Sequence, residues 1–157
     1  MIQKLYETLC NINEAANVLR DEPMSRHTTF RIGGPADLFV QPENEEQLCA
    51  AIRLAKEAGV RSYLLGNGSN ILFEDAGYRG AVINVSAMKS GIGVIENISF
   101  PGKDPALTYD AVVVGAGQML SSLCMAALEN SLTGLEFAYG IPGTVGGAVY
   151  MNAGAYG

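Results

Sequence analysis

The sequence predicts a mixed helix-and-sheet protein built from two successive α/β units. Helical apolar spacing alternates along the chain with short apolar runs of strand type. One glycine-rich loop follows such a run, and a second glycine-rich segment follows the last helical pattern. The 157 residues are 48% hydrophobic, which is enough for one large core or two small ones. No apolar run approaches the roughly 20 residues that a membrane-spanning helix requires.

The first unit is preceded by a predicted N-terminal helix over residues 1–21. Apolar side chains recur there at three- and four-residue steps up to Leu19 and form one stripe. Asp21-Glu-Pro23 ends the helix, because the residue before a proline disfavours helical backbone. An extended segment over 27–34 and a strand over 36–40 follow.

The next helix has local signals at both ends. Asn44 is the predicted N-cap, Gln47 completes a capping box, and Gly59 stops the helix. Strands over 62–65 and 80–85 complete the unit, which spans residues 22–88. The side chains expected to be buried by this helix are Leu48, Ala51, Ile52 and Ala55.

The second unit spans residues 89–157. It contains predicted strands over 94–98 and 111–114, joined through a two-proline turn at Pro101–Pro105. A helix over 118–130 follows. The side chains expected to be buried by this helix are Leu120, Leu123, Cys124, Ala127 and Leu128.

The first glycine-rich loop, Gly66-Asn-Gly-Ser-Asn70, follows the strand 62–65 directly. Such a loop can curl its amide groups into a concave nest that binds phosphate oxygens. The alternative is a tight hairpin, for which Asn-Gly is a strong signal, and the loop alone favours neither. The spacing matches neither the P-loop nor the dinucleotide-binding fingerprint, so neither phosphate site is predicted.

The second glycine-rich segment, Gly134–Gly157, alternates glycines with apolar residues and forms a predicted wall against a ligand. A helix starting near Pro142-Gly-Thr144 would offer free amide groups and a positive dipole end to an anion. Gly146 and Gly147 weaken a helix by about 1 kcal/mol each, which close approach of a flat ring or a diphosphate would explain. The alternative is packing of the helix on the sheet, which also requires small residues.

Three ordered segments together resemble the UDP-N-acetylenolpyruvoylglucosamine reductases of bacterial peptidoglycan synthesis. They are Arg26-His-Thr-Thr-Phe-Arg-Ile-Gly-Gly-Pro-Ala-Asp37, Leu64-Leu-Gly-Asn-Gly-Ser-Asn-Ile-Leu-Phe73 and Gly134–Gly157. Each motif is moderately specific by itself, and the ordered set is highly specific.

The resemblance implies an α+β, two-subdomain flavin-binding fold of the vanillyl-alcohol oxidase type, with the second subdomain incomplete and the substrate-binding domain absent. It implies an FAD enzyme in which NADPH reduces the flavin and the enolpyruvyl group on UDP-N-acetylglucosamine is reduced to give UDP-N-acetylmuramate. Catalytic residues of the family have no matching position before Gly157, so none is assigned. The cofactor-binding residues implied are Leu65, Gly66, Asn67, Gly68, Ser69, Asn70, Gly140, Ile141, Pro142, Gly143, Thr144, Gly146, Gly147, Asn152, Gly154, Ala155 and Tyr156.

Three hypotheses follow for the function. The first is the FAD-binding part of this reductase, and the second is the FAD-binding module of another oxidoreductase of the same fold. The third is an inactive fragment whose incomplete sheet leaves an unpaired edge and an exposed apolar face.

Several single residues invite a role in the chemistry. His27, the only histidine, is favoured as a loop hydrogen-bonding residue over a catalytic one, because no carboxylate or nucleophile stands near it in sequence. Arg31 can meet a phosphate or a ribityl hydroxyl, or stand as a solvated charge. Tyr139 and Tyr156 are candidates for packing on the flavin or for ordinary core aromatics. Glu136 is expected to have a helix-cap or backbone role rather than a catalytic one.

Composition limits the partners. A net charge of −6 argues against nucleic acid and anionic membranes as partners. The resemblance implies a UDP-sugar substrate as the partner, and the full-length protein is expected to be a monomer. Cys10, Cys49 and Cys124 lie far apart in helical apolar patterns, which favours reduced core packing in a cytoplasmic protein. With one histidine and no clustered thiols, no metal site is predicted.

Overall fold

The computed structural model describes residues 1–13, 17–88, 91–98 and 108–154. The chain divides into two compact units, Met1–Lys89 and Ser90–Gly157. The predicted boundary between residues 88 and 89 lies one residue from this division. The predicted turn at 101–105 lies outside the described residues.

The first unit is a four-stranded sheet with helices on one face. The strand order is β1-β2-β4-β3, with β1 antiparallel to β2 and with β4 parallel to both β2 and β3. Its helices and strands are α1 (Ile2–Ile12), β1 (Val18–Pro23), β2 (Pro35–Val40), α2 (Glu45–Glu57), β3 (Ser62–Leu65) and β4 (Tyr78–Asn84).

Side chains alternate across this sheet, as the pleat requires. Leu38 and Ile83 lie in the core under the helices, whereas Phe39 and Val82 lie in a second core on the other face. Residues of the loops after β1 and β3, Met24 and Phe73 among them, cover that second core. The motif loops and the helices therefore lie on opposite faces of the sheet.

Helix α2 begins at its predicted N-cap, Asn44, but the Gln47 side chain bonds the amide of Glu43 rather than that of Asn44. The Asn44 side chain accepts a hydrogen bond from the Gln47 amide at 2.9 Å, and the Gln47 side chain accepts one from the Glu43 amide at 2.8 Å. Its C-terminal turn is followed by Gly59 in the left-handed region, with φ +63°. Ala51 and Ala55 are buried, but Ile52 is 36% exposed, so the prediction that Ile52 is buried is wrong.

Among the described residues, the predicted N-terminal helix over residues 1–21 is wrong beyond Ile12. Helix α1 ends at Ile12, where Asn13 takes extended backbone and its side-chain amide donates to the Leu9 carbonyl at 3.1 Å. Residues 18–23 form strand β1, because antiparallel pairing with β2 outweighs the helical spacing that extends to Leu19. The predicted helical position Ala16 lies outside the described residues.

The predicted extended segment over 27–34 is also wrong in part. A 3-10 turn at Met24–Arg26 is followed by a hydrogen-bonded turn in which the Arg31 amide donates to the Thr28 carbonyl at 3.2 Å. The Thr28 hydroxyl donates to the Ile32 carbonyl at 3.1 Å and closes this turn. Two local hydrogen bonds to one residue explain why the segment is not extended.

The second unit contains a two-stranded antiparallel sheet and two helices among its described residues. These are β5 (Gly93–Ile98), β6 (Tyr109–Val113), α3 (Leu120–Glu129) and α4 (Val145–Tyr150), with a 3-10 turn at Glu136–Ala138. Leu120, Leu123 and Cys124 form the core with Ala138. Leu128 is 68% exposed, so its predicted burial is wrong. Among the described residues, no helix is long and apolar enough to cross a membrane.

Candidate cofactor site

The loop Gly66–Asn70 leaves the end of β3, and β3 runs parallel to β4. A tight hairpin would join antiparallel strands, so the hairpin alternative is excluded. Asn84, at the end of β4, donates from its side-chain amide to the Gly66 carbonyl at 3.0 Å. The Asn84 side-chain oxygen accepts from the Ser86 amide at 2.9 Å and also from the Ser86 hydroxyl, and Asn84 is 4% exposed. The first residue of the loop is therefore held by a buried side chain whose own polar atoms are bonded.

Gly68 is the turning point of the loop, with φ +64° in the left-handed region. A Cβ built on Gly68 would overlap the His27 carbonyl oxygen and lie 2.9 Å from the Thr28 Cα. The Gly68 carbonyl accepts a hydrogen bond from the Thr29 amide at 3.1 Å. The protein itself therefore requires glycine here, because residues 27–29 lie against it.

The amides of the loop are the best candidates for ligand binding in this unit. Within the described part of the chain, the amides of Asn67, Gly68 and Asn70 have no hydrogen-bond acceptor. Gly68 is buried, and an unpaired buried amide costs free energy unless a ligand or water satisfies it. Successive amides around a left-handed glycine form the kind of concave nest that binds an anion. This arrangement fits a diphosphate.

The turn next to this loop carries exposed side chains. Phe30 is 61% exposed, Ile32 is 51% exposed, and Arg31 is exposed with φ +56°. Left-handed backbone costs a non-glycine residue about 1–2 kcal/mol. The contact of Arg31 with a phosphate or with a ribityl hydroxyl remains a prediction.

The helix α4 does not offer the free amides that the sequence predicts for it. The amides of Val145 and Gly146 donate to the carbonyls of Gln118 and Ala116 at 2.8 and 2.9 Å. The Gly147 amide donates to the hydroxyl of Thr144, the N-cap, at 3.3 Å. The first-turn donors of this six-residue helix are therefore used within the protein, and its N-terminus is not an anion site.

The glycines of α4 have a structural explanation. A Cβ on Gly146 would lie 2.8 Å from the Ala116 Cβ, too close for a real side chain. A Cβ on Gly147 would meet only the Thr144 hydroxyl, at 3.2 Å. The packing alternative is therefore correct for Gly146, although the neighbour is the segment before α3 rather than a sheet.

Two amides just before α4 remain available. Gly143, with φ +140°, and Thr144 are both buried. Neither amide has a hydrogen-bond acceptor among the described residues. The available donors in this unit thus precede the helix instead of lying in its first turn.

The remaining predicted cofactor residues that the structure describes are distributed over both units. The Ile141 amide donates to the Ala138 carbonyl at 3.0 Å, and Asn152 has φ +47° in the turn after α4. Gly140 and Pro142 are exposed, and nothing lies within 4 Å of a Cβ built on Gly154. Ala155 and Tyr156 lie outside the described residues. Leu65 is buried in the first unit, and Ser69 is half-buried within its loop.

The surroundings of Glu136 and Tyr139 decide between their predicted roles. The Glu136 side chain accepts a hydrogen bond from the Gly134 amide at 2.8 Å, as expected for a backbone role. Tyr139 is 58% exposed, so it is not a core aromatic.

His27 hydrogen-bonds a side chain. Its Nε2 lies 3.0 Å from Oε1 of Glu22, and its ring stacks on Phe39. The argument that no carboxylate stands near His27 in sequence is therefore wrong. Sequence reasoning also missed Asn84, whose signal was one polar residue at the end of an apolar strand.

The cysteines differ in environment. All three are free, with Cys124 buried, Cys10 half-buried and Cys49 exposed, so the expected core role is wrong for Cys49. Burial raises the pKa of the Cys124 thiol, because the thiolate loses solvation there. Across the described ranges, no cluster of histidine, cysteine or acidic residues suits a metal ion.

Comparison with curated proteins confirms the resemblance drawn from the three motifs. A UDP-N-acetylenolpyruvoylglucosamine reductase from Alkaliphilus oremlandii is 45% identical over 98% of this chain and 46% of its own length. The corresponding protein of Geobacillus kaustophilus is 44% identical over 99% of this chain and 46% of its length. The chain therefore spans about half the length of the curated relatives it matches.

Solved structures confirm the predicted α+β flavin-binding fold of the vanillyl-alcohol oxidase type. A UDP-N-acetylenolpyruvylglucosamine reductase from Thermus caldophilus is 31% identical with a TM-score of 0.62, over 87% of this chain and 43% of that one. A VAO-type flavoprotein from Myceliophthora thermophila has a TM-score of 0.64 at 12% identity, over 83% of this chain and 32% of that one, and shows the fold alone.

The family described as "FAD binding domain" matches residues 36–157, which include both groups of available amides. This match supports FAD as the cofactor. Because it covers well over half of the residues, the chain belongs to the FAD binding domain family.

Proposed function

We propose that this chain is the FAD-binding part of an NADPH-dependent reductase that converts UDP-N-acetylglucosamine enolpyruvate to UDP-N-acetylmuramate in peptidoglycan precursor synthesis. The observation that carries the proposal is 45% identity, over almost the whole chain, to a protein named as this reductase. The bound flavin supplies the hydride chemistry, and the protein supplies placement and electrostatics.

The two groups of amides have distinct tasks in this proposal. The Gly66–Asn70 loop holds the diphosphate of FAD through backbone donors, which explains how an acidic chain of net charge −6 binds an anionic cofactor. Gly143 and Thr144 of the second unit are proposed as further cofactor-binding residues, because their buried amides have no acceptor among the described residues. Substrate protonation falls to residues of the reductase that this chain does not match, so no catalytic residue is proposed here.

The proposed setting is the cytoplasm, with a UDP-sugar as the small-molecule partner and a monomeric complete protein. Three free cysteines suit a reducing compartment. Neither nucleic acid nor a membrane surface is proposed as a partner, because the chain is acidic overall.

Cofactor binding is tested by titrating the purified chain with FAD and, separately, with riboflavin, following flavin fluorescence. If backbone amides hold the diphosphate, FAD binds at least tenfold more tightly than riboflavin, which has no phosphate. Equal affinities, or no FAD binding at all, would contradict the assigned role of the loop.

The reductase activity needs a longer protein. This chain can replace the matching residues of the Clostridioides difficile relative, to which it is 44% identical over 99% of its length. The chimera should oxidise NADPH only when UDP-N-acetylglucosamine enolpyruvate is present. A chimera that retains FAD but shows no substrate-dependent NADPH oxidation would refute the proposed activity.

A further inference from the structure

We propose that His27 is a positioning residue for the cofactor loop, because its ring, held between Glu22 and Phe39, fixes the backbone that shapes Gly68. The inference rests on the proposed binding of FAD by the loop Gly66–Asn70. It extends that function to a side chain that need not touch the cofactor.

The ring of His27 is held by two strands of the sheet. Its centroid lies 3.9 Å from that of Phe39, with 24° between the planes, and Phe39 is fully buried in β2. Its Nε2 lies 3.0 Å from Oε1 of Glu22 in β1. The side chains of His27 and Glu22 are only 20% and 12% exposed, so solvent competes little for this hydrogen bond.

The donor in this contact is His27, because a carboxylate can only accept. Arg26 also lies near Glu22, with its Nη1 3.5 Å from the same oxygen. The Arg26 side chain is 69% exposed, and such an exposed pair contributes little. His27 is thus the principal partner of Glu22.

The backbone of the same residue touches the loop. The space that a Cβ on Gly68 would need is taken by the His27 carbonyl oxygen, and the Thr29 amide donates to the Gly68 carbonyl at 3.1 Å. A movement of His27 is therefore transmitted to Gly68 through direct contact and one hydrogen bond. Within the loop Gly66–Asn70, the buried amide of Gly68 has no acceptor among the described residues, so its orientation affects how well the nest fits an anion.

The test compares variants that remove the contact with variants that keep part of it. Glu22→Ala removes the acceptor, and His27→Phe keeps an aromatic ring against Phe39 but removes the donor. Each should raise the FAD dissociation constant about tenfold, equivalent to about 1.4 kcal/mol. Glu22→Gln, which retains a side-chain oxygen to accept the hydrogen bond, should restore most of the affinity.

Hydrogen–deuterium exchange of the FAD-free chain gives a second readout. Glu22→Ala and His27→Phe should speed exchange at the Thr29 amide, which donates to the Gly68 carbonyl, while leaving the amides of β4 protected. The matched control is Asn44→Ala, which removes the cap of α2 in the same unit. It should lower stability without changing the FAD dissociation constant or the exchange of the Thr29 amide.

Three results would overturn the inference. They are an unchanged FAD affinity in both contact-removing variants, unchanged exchange of the Thr29 amide in both, or an equal loss of affinity in Asn44→Ala. If the wild-type chain fails to bind FAD, the proposed function fails for this chain. The exchange comparison then decides by itself whether His27 positions the loop.

Discussion

Replacing Gly68 by alanine tests why glycine is needed in the cofactor loop. Two costs are expected: left-handed backbone costs about 1–2 kcal/mol for a residue with a Cβ, and forcing the His27 carbonyl aside costs about a further 1–3 kcal/mol. The total of about 2–5 kcal/mol is a large part of the roughly 5–15 kcal/mol that stabilises a typical domain.

Gly59 provides a matched control within the same unit. Its φ of +63° is nearly identical to the +64° of Gly68, but nothing lies within 4 Å of a Cβ built on it. Gly59→Ala should therefore cost only the backbone term, about 1–2 kcal/mol. The effect of alanine on the unfolded chain is the same in both variants and cancels in the comparison.

The two variants are compared by urea unfolding followed by circular dichroism and by FAD titration. Gly68→Ala should be the less stable variant by about 1–3 kcal/mol and should lose most of its FAD affinity. Gly59→Ala should bind FAD as the wild type does. Equal stabilities of the two variants would refute the steric argument, and wild-type FAD affinity in a folded Gly68→Ala chain would refute the role of the loop.

Three further predictions concern other parts of the chain. In a thermal unfolding assay, Gly146→Ala should destabilise the second unit by about 1–3 kcal/mol because of its contact with Ala116, whereas Gly147→Ala should be nearly neutral. Equal effects of the two variants would contradict the packing explanation. Asn84→Ala should lower the free energy of unfolding by about 1–3 kcal/mol and weaken FAD binding, since the Gly66 carbonyl and the Ser86 amide both lose a buried partner. Unchanged FAD affinity would show that the loop does not need this hydrogen bond. Because Cys49 is exposed and burial raises the pKa of Cys124, iodoacetamide should label Cys49 in the folded chain and Cys124 only after unfolding. Mass spectrometry that finds Cys124 modified before Cys49 in the folded chain would contradict this order.

The sequence predicts best where the determining contacts are local. The capping box of Asn44 and Gln47 lies within one turn, so the start of α2 follows from residue types alone. Strand β1 depends on pairing with β2, and the helical spacing up to Leu19 gave no sign of that partner. Leu128 continues the helical pattern correctly, but which face is buried depends on what packs against it.

The candidate site shows the same limit. The loop Gly66–Asn70 was located from its composition, but the contacts of Gly68 and Gly146 with the protein could not be foreseen from it. A glycine that makes room for a ligand and a glycine that makes room for a neighbouring backbone look the same in a sequence. The bonded amides of α4 depend on carbonyls at Ala116 and Gln118, which a sequence does not place.

The hydrogen bond from the Asn84 side chain to the Gly66 carbonyl has a consequence for folding during translation. During translation the loop emerges from the ribosome before β4, so its first carbonyl has no partner until Asn84 follows. Strand β4 must also insert between β2 and β3, which are already made, and non-local pairing of this kind slows folding. The nascent chain therefore acquires a competent cofactor loop only after the last strand of its first unit has been synthesised.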